Sequence, residues 1–144
     1  MSIYQNFCRE ITDEYGNLKR LTLDYPENFN FGYDAVDRIA RETRAIVWCN
    51  VENEEHIFTF ADVRAYSNRM ANVFLKAGIE KGDRVMLILK RHYEYWFAAI
   101  ALHKLGAVMI PATHMLTVKD LVYRISAAQV KAVVSTPQNE TPKK

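Results

Sequence analysis

Two short segments carry the side chains best suited to chemistry, Lys90-Arg91-His92 and Ala112-Thr113-His114-Met115. Each follows an apolar run that reads as a strand, and an open parallel sheet binds its ligands beyond the carboxyl ends of its strands. A lysine and an arginine in that place suit a phosphate, while a threonine hydroxyl and an imidazole suit hydrogen bonds to a polar ligand. Both segments also have a plainer reading. Lys90-Arg91-His92 reads as a solvated strand-to-helix turn, and Thr113-His114-Met115 as an ordinary loop entering a helix that Thr117 caps.

Other chemistry finds no support. The five glycines are scattered singly, so neither common type of glycine-rich phosphate loop is present. His56, His92, His103 and His114 show no metal-ligand spacing, and no serine or cysteine stands in a nucleophile elbow. Asp13-Glu14 and Glu54-Glu55 fall in loops or termini and make no acid–base pair. His103 sits in a nearly wholly apolar helix and reads as a packed, hydrogen-bonded residue; Trp96 and Phe97, among alanines, read as core. Cys8 and Cys49 read as two reduced thiols. The residues give two candidate rims and no catalytic constellation.

The frame that must position those rims is a chain of 144 residues, with 49% hydrophobic and 25% charged side chains. That is a globular composition of one-domain size, since domains run ~100–200 residues. A net charge of +2 gives no strong reason to expect nucleic acid or an anionic membrane as partner. The N-terminus has no basic leader followed by an apolar run, and no span approaches the ~20 apolar residues of a membrane helix. The expectation is a soluble, cytoplasmic protein.

Along the chain, residues 1–30 read as a helical start near Ile3–Thr12 and a loop through Gly16 and Pro26. From Phe31, a helix is expected with Phe31, Ala35, Val36, Ile39 and Ala40 on one face. Ala45 to Val51 and His56 to Thr59 read as a β-hairpin. Thr59 with Asp62 signals a capped helix, with Phe60, Val63, Tyr66, Met70, Val73, Phe74 and Ala77 inward and Gly78 as its stop.

The second half alternates strand and helix. Arg84–Leu89, Ala107–Ile110 and Lys131–Ser135 read as strands, the second cut by Pro111. Tyr93–Leu105 and a helix opened by Thr117 and Asp120, with Val118, Leu121, Val122 and Ile125 inward, read as the crossovers. The fold class expected is α/β: a parallel βαβαβ sheet with flanking helices and a preceding β-hairpin. Residues 31–136 form the domain and 137–144 a disordered tail. A third strand with nothing after it leaves an exposed edge, which invites a partner or self-association.

Three stretches together resemble a known family. Phe58-Thr59-Phe60-Ala61-Asp62-Val63 through Ala77-Gly78-Ile79-Glu80-Lys81-Gly82-Asp83-Arg84-Val85 resembles the first core motif of adenylate-forming enzymes. Trp96 through Gly106-Ala107-Val108-Met109-Ile110-Pro111 resembles the second, a buried helix ending in Gly-Ala, a strand and a proline. Thr117 to Ser135 continues in step. The resemblance covers about residues 24–136 and is closest to the acetyl- and medium-chain branch of the AMP-forming acyl-CoA synthetases.

That resemblance implies an incomplete N-terminal portion of the adenylate-forming fold, and a parent ligase with a two-step reaction. A small carboxylic acid attacks the α-phosphate of ATP with Mg²⁺, pyrophosphate leaves, and the thiol of coenzyme A displaces AMP. The family's Ser/Thr/Gly-rich loop, adenine-binding aspartate region and catalytic lysine have no counterpart in these residues, and the closing Pro142-Lys143 lacks the glycines of that loop. No catalytic or metal-binding residue is therefore assigned, and the chain by itself is expected to be inactive and to bind no cofactor tightly. Thr113, His114 and Met115 fall where related enzymes bring backbone near the pantetheine arm of coenzyme A, though without the glycine pair of some relatives. The alternative is a non-catalytic module, a regulator or half of a split enzyme, that pairs through its sheet edge. A small flavodoxin-type domain is disfavoured, because no phosphate loop follows any strand.

Overall fold

A computed structural model describes residues 3–137. Most of the tail expected over 137–144 lies outside the described residues.

Two short segments flanking turn residues form the first hairpin. Strands β1 (Cys8–Thr12) and β2 (Leu18–Leu23) pair antiparallel. The Asp13 carboxylate closes the turn by accepting from the backbone N–H of Tyr15 at 2.9 Å and of Asn17 at 2.8 Å, and Gly16 supplies a φ of +83°. The helix expected over Ile3–Thr12 is corrected to a 3-10 turn, Ile3–Asn6, followed by a strand. Turn chemistry at 13–17 offers Cys8–Thr12 a cross-strand partner, and that outweighs a weak helical pattern.

The helix expected from Phe31 is also irregular: a π-turn (Phe31–Ala35) runs into a 3-10 turn (Val36–Arg38). Only Gly32, Ala35 and Val36 are buried there, and Phe31 remains half exposed. Strands β3 (Arg44–Cys49) and β4 (Glu55–Thr59) then form the expected hairpin, its loop organised by the Asn50 side chain, which accepts from Glu52 and Glu54 N–H.

Helix α1 (Phe60–Lys76) opens on a capping box: the Thr59 side chain accepts from Asp62 N–H while the Asp62 carboxylate accepts from Thr59 N–H at 2.9 Å. Its buried face is Val63, Ser67, Ala71 and Phe74. The expected inward stripe was rotated, since Val73 is 57% exposed and Tyr66 sits at the margin. Small residues at 67 and 71 let α2 (Glu94–Leu105) approach closely, and its alanines answer them.

Strand β5 (Arg84–Ile88) lies between β6 (Val108–Pro111) and β7 (Ala132–Ser135), parallel to both. Val85, Met86, Leu87 and Ile88 are all buried, as a central parallel strand covered on both faces requires. The main core gathers Ala71, Phe74 and Ile79 against Val85, Leu87, Ala98 and Leu102. Pro111 ends β6 on an outer strand, where its missing N–H breaks no central ladder. Gly106 closes α2 in the left-handed region at φ +68°.

Helix α3 (Val118–Ala127) repeats the capping box through Thr117 and Asp120. None of its residues is buried, and Val118 and Val122, expected inward, are 56% and 59% exposed. The architecture is α/β with a three-stranded parallel sheet and two antiparallel hairpins.

Candidate functional site

Strand β5 delivers the first rim. After Ile88 the chain leaves the sheet through Lys90-Arg91-His92, and Arg91 takes a positive φ of 44°, uncommon for a residue with a side chain. The hairpin fixes that turn: the Trp48 indole N–H donates to the Arg91 carbonyl. A cleft of about 930 Å³ opens between the two, lined by Trp48, His56 and Tyr93 and by charges of both signs, among them Lys90, Arg91, Glu54 and Glu94. The imidazole Nδ1 of His92 stands 3.8 Å from the Glu94 carboxylate. Glu94 is also the main cause that raises the Tyr93 phenol above its ordinary pKa, because a neighbouring negative charge opposes a phenolate. Charges of both signs thus line the cleft, and Lys90 and Arg91 are exposed rather than buried donors for a phosphate.

Strand β6 delivers the second rim. Ala112 N–H donates to the Leu87 carbonyl at 2.9 Å, which carries the β5–β6 pairing past Pro111. Beyond it Thr113, His114 and Met115 are all exposed, Met115 at 76%. The Thr113 hydroxyl accepts from Met115 N–H at 3.3 Å, a local turn that occupies the side chain. The parallel register brings both rims to the carboxyl side of one sheet, yet among the described residues no hydrogen bond or ion pair joins them.

A buried polar cluster lies elsewhere and is not foreseen from the sequence. Lys104, in the last turn of apolar α2, has a side chain with no exposure and an Nζ 2.9 Å from the Asp37 carboxylate. The same ammonium donates to Ser67 Oγ at 3.0 Å and Asn68 Oδ1 at 2.8 Å, and lies 5.3 Å from the centre of the Tyr33 ring. Two hydrogen-bonding oxygens, an ion-paired carboxylate and an aromatic face replace the water a buried ammonium loses. His103, expected to be the packed polar residue of this helix, is instead exposed, its ring 5.4 Å from that of Phe31. Trp96 is likewise corrected: it is 53% exposed, while its neighbour Phe97 is buried at 4%. A helix apolar on nearly every face gives no moment to orient it, so one-residue errors of this kind arise readily. The signal available was the lone lysine in an apolar run, together with Ser67 and Asn68 on the neighbouring helix.

The comparison with known proteins bears on fold and motifs together. The profile of the family described as AMP-binding enzyme matches residues 34–144. Acyl-coenzyme A synthetase ACSM4, mitochondrial, of Rattus norvegicus is 32% identical over 135 residues, covering 88% of this chain and 23% of that protein. ACSM5 of the same organism, also named mitochondrial, is 37% identical over 120 residues, covering 77% and 21%. Among solved structures, an acyl-CoA synthetase of Brucella canis superposes with a TM-score of 0.76 at 26% identity, over 81% of this chain and 22% of that one. The N-terminal domain of FACL13 from Mycobacterium tuberculosis gives 0.64 at 28% identity, over 72% and 26%.

The fold is that of the N-terminal portion of the adenylate-forming enzymes, and the chain belongs to the AMP-binding enzyme family. It spans less than a quarter of the length of these curated relatives. The cytoplasmic location expected from the absence of a leader is overturned by the relatives, which are named as mitochondrial proteins.

Proposed function

We propose that this chain is part of an AMP-forming acyl-CoA synthetase that joins a short- or medium-chain carboxylic acid to coenzyme A through an acyl-adenylate, in a mitochondrial setting. The observation that carries the reading is the family match over residues 34–144, supported by relatives all named acyl-coenzyme A synthetases. The chemistry needs cations to neutralise the charge growing on the α-phosphate, and a carboxylate held in line with it. Among the described residues, Lys90 and Arg91 sit beside Glu54 and Glu94 in an open cleft, and Lys104 is paired with Asp37. ATP and Mg²⁺ are therefore assigned to the enzyme as a whole, with no step routed through these residues.

For coenzyme A, Thr113, His114 and Met115 offer an exposed backbone at the end of β6, suited to a passing contact with the pantetheine arm. The decisive experiment pairs two proteins. The full-length enzyme, given ATP, coenzyme A and carboxylates from acetate to decanoate, should release pyrophosphate and form the thioester. The 144-residue chain given the same mixture should form no acyl-adenylate; adenylate made by this chain alone would overturn the division of labour.

A second reading rests on one observation: β7 pairs with β5 alone and leaves its other edge without a strand among the described residues. A non-catalytic module that pairs with another chain through that edge would show concentration-dependent dimers, or would co-elute with a second chain. A monomer at all concentrations that also captures no partner speaks against it.

A further inference from the structure

We infer that residues 30–38 form a strap over helices α1 and α2, with Lys104 as its latch, and that the strap opens as a unit while the sheet stays folded. The segment has little regular structure of its own, a single π-turn followed by a 3-10 turn. Its polar anchors converge on one place. The Asn30 side chain donates to the carbonyls of His103 at 3.0 Å and Lys104 at 3.1 Å, the last turn of α2. Gly32 presses so closely that an added Cβ would stand 2.5 Å from Lys104 Cγ. Tyr33 lays its ring 5.3 Å from the ammonium, and Asp37 receives it at 2.9 Å.

Lys104 thus holds the strap from inside, while Ser67 and Asn68 hold Lys104 from α1. The remaining attachments are the packing of Val36 with Val63 and Phe97, the Phe31 ring 5.4 Å from that of His103, and Arg64 at 3.7 Å from Asp37. The strap also supplies Phe31 and Val36 to one wall of an apolar groove of about 480 Å³, whose other walls include Ile46, Phe60, Trp96 and Ile100. Opening the strap removes that wall. A segment without a regular helix, tied to its neighbours mainly through polar anchors at one end of α2, is what local unfolding selects.

The test is hydrogen–deuterium exchange read by peptide on the 144-residue chain, comparing the wild type with Lys104→Met. Methionine keeps the stem volume and removes every contact of the ammonium. The expected result is exchange faster by roughly tenfold or more in peptides covering 30–38, with β5 peptides covering 84–88 unchanged. Unchanged exchange in 30–38, or a rise of equal size in 84–88, overturns the inference. If Lys104→Met does not fold, Asn30→Ala decides the matter, because it orphans no buried charge. It should raise exchange across 31–38 alone; no rise there, or a rise shared with the sheet, counts against a latched strap.

Discussion

Trp48 and Arg91, forty-three positions apart, are joined by a hydrogen bond from the indole N–H to the backbone carbonyl. The bond ties the β3–β4 hairpin to the loop at the carboxyl end of β5, where Arg91 holds a left-handed backbone. A residue with a Cβ pays for that conformation, and the tertiary contact offsets it. Trp48→Phe keeps an aromatic ring against Tyr93 and His56 and deletes the donor. It should lower unfolding free energy by about 1 kcal/mol in urea titration, with the loss of exchange protection centred on residues 90–92.

At the other end of the sheet, Lys131 donates to the Gly78 carbonyl at 2.7 Å and to the Asp83 carboxylate. That lysine, ahead of the Glu80 backbone N–H, holds the Asp83 carboxyl below its ordinary pKa of 3.8. A carboxyl depressed in the folded state contributes stability that is complete above its unfolded pKa and is lost as pH falls through the lower folded value. Denaturation midpoints from pH 6 down to pH 2 should therefore fall more steeply for the wild type than for Lys131→Met. Parallel curves would show that the pair adds nothing.

The two capping boxes are chemically alike and differently placed. Thr59 opens α1, whose buried face belongs to the core, whereas Thr117 opens α3, which buries no residue. Either threonine-to-alanine change removes a cap worth ~1 kcal/mol. Thr59→Ala should lower the global midpoint by that amount. Thr117→Ala should speed exchange within 118–127 and leave the global midpoint nearly unmoved.

Adjacent aromatics on α2 make the sharpest contrast. Phe97 is 4% exposed and packs with Val36 and Val63, while Trp96 is 53% exposed. Phe97→Ala should cost about 3–5 kcal/mol, as emptied core sites do. Trp96→Ala should cost less than ~1 kcal/mol. Equal losses in thermal or urea unfolding would contradict the orientation of this helix.

Legibility followed the range of the interaction. Both capping boxes, the stop at Gly106, the β3–β4 hairpin and the three parallel strands were read from residues within a few positions of one another. The first hairpin was missed because the carboxylate that closes it, Asp13, looked like one more loop acid. The orientation of α2 is not legible because an apolar helix does not announce which side meets its neighbour, and that of α1 because its buried face uses the small residues Ser67 and Ala71 in place of Tyr66 and Val73. The loops 90–92 and 113–115 do follow strands β5 and β6, as their place in the sequence implies. Their charge balance is not legible there, since Glu54 reaches the first loop from another hairpin.

The sequence by itself determined the strand–helix alternation of the second half, the capped starts of α1 and α3, the glycine stops after α1 and α2, and the family, because caps, glycines and apolar periodicity act through neighbours along the chain. Tertiary structure alone decided that β5 lies at the centre between β6 and β7, and that Lys104 rather than His103 is buried. It also decided that Arg91 is held in the left-handed region by Trp48. Each of those outcomes depends on groups tens of residues apart meeting in space: strand pairing with a distant partner, or a charge that leaves water only where Asp37, Ser67 and Asn68 have converged to receive it.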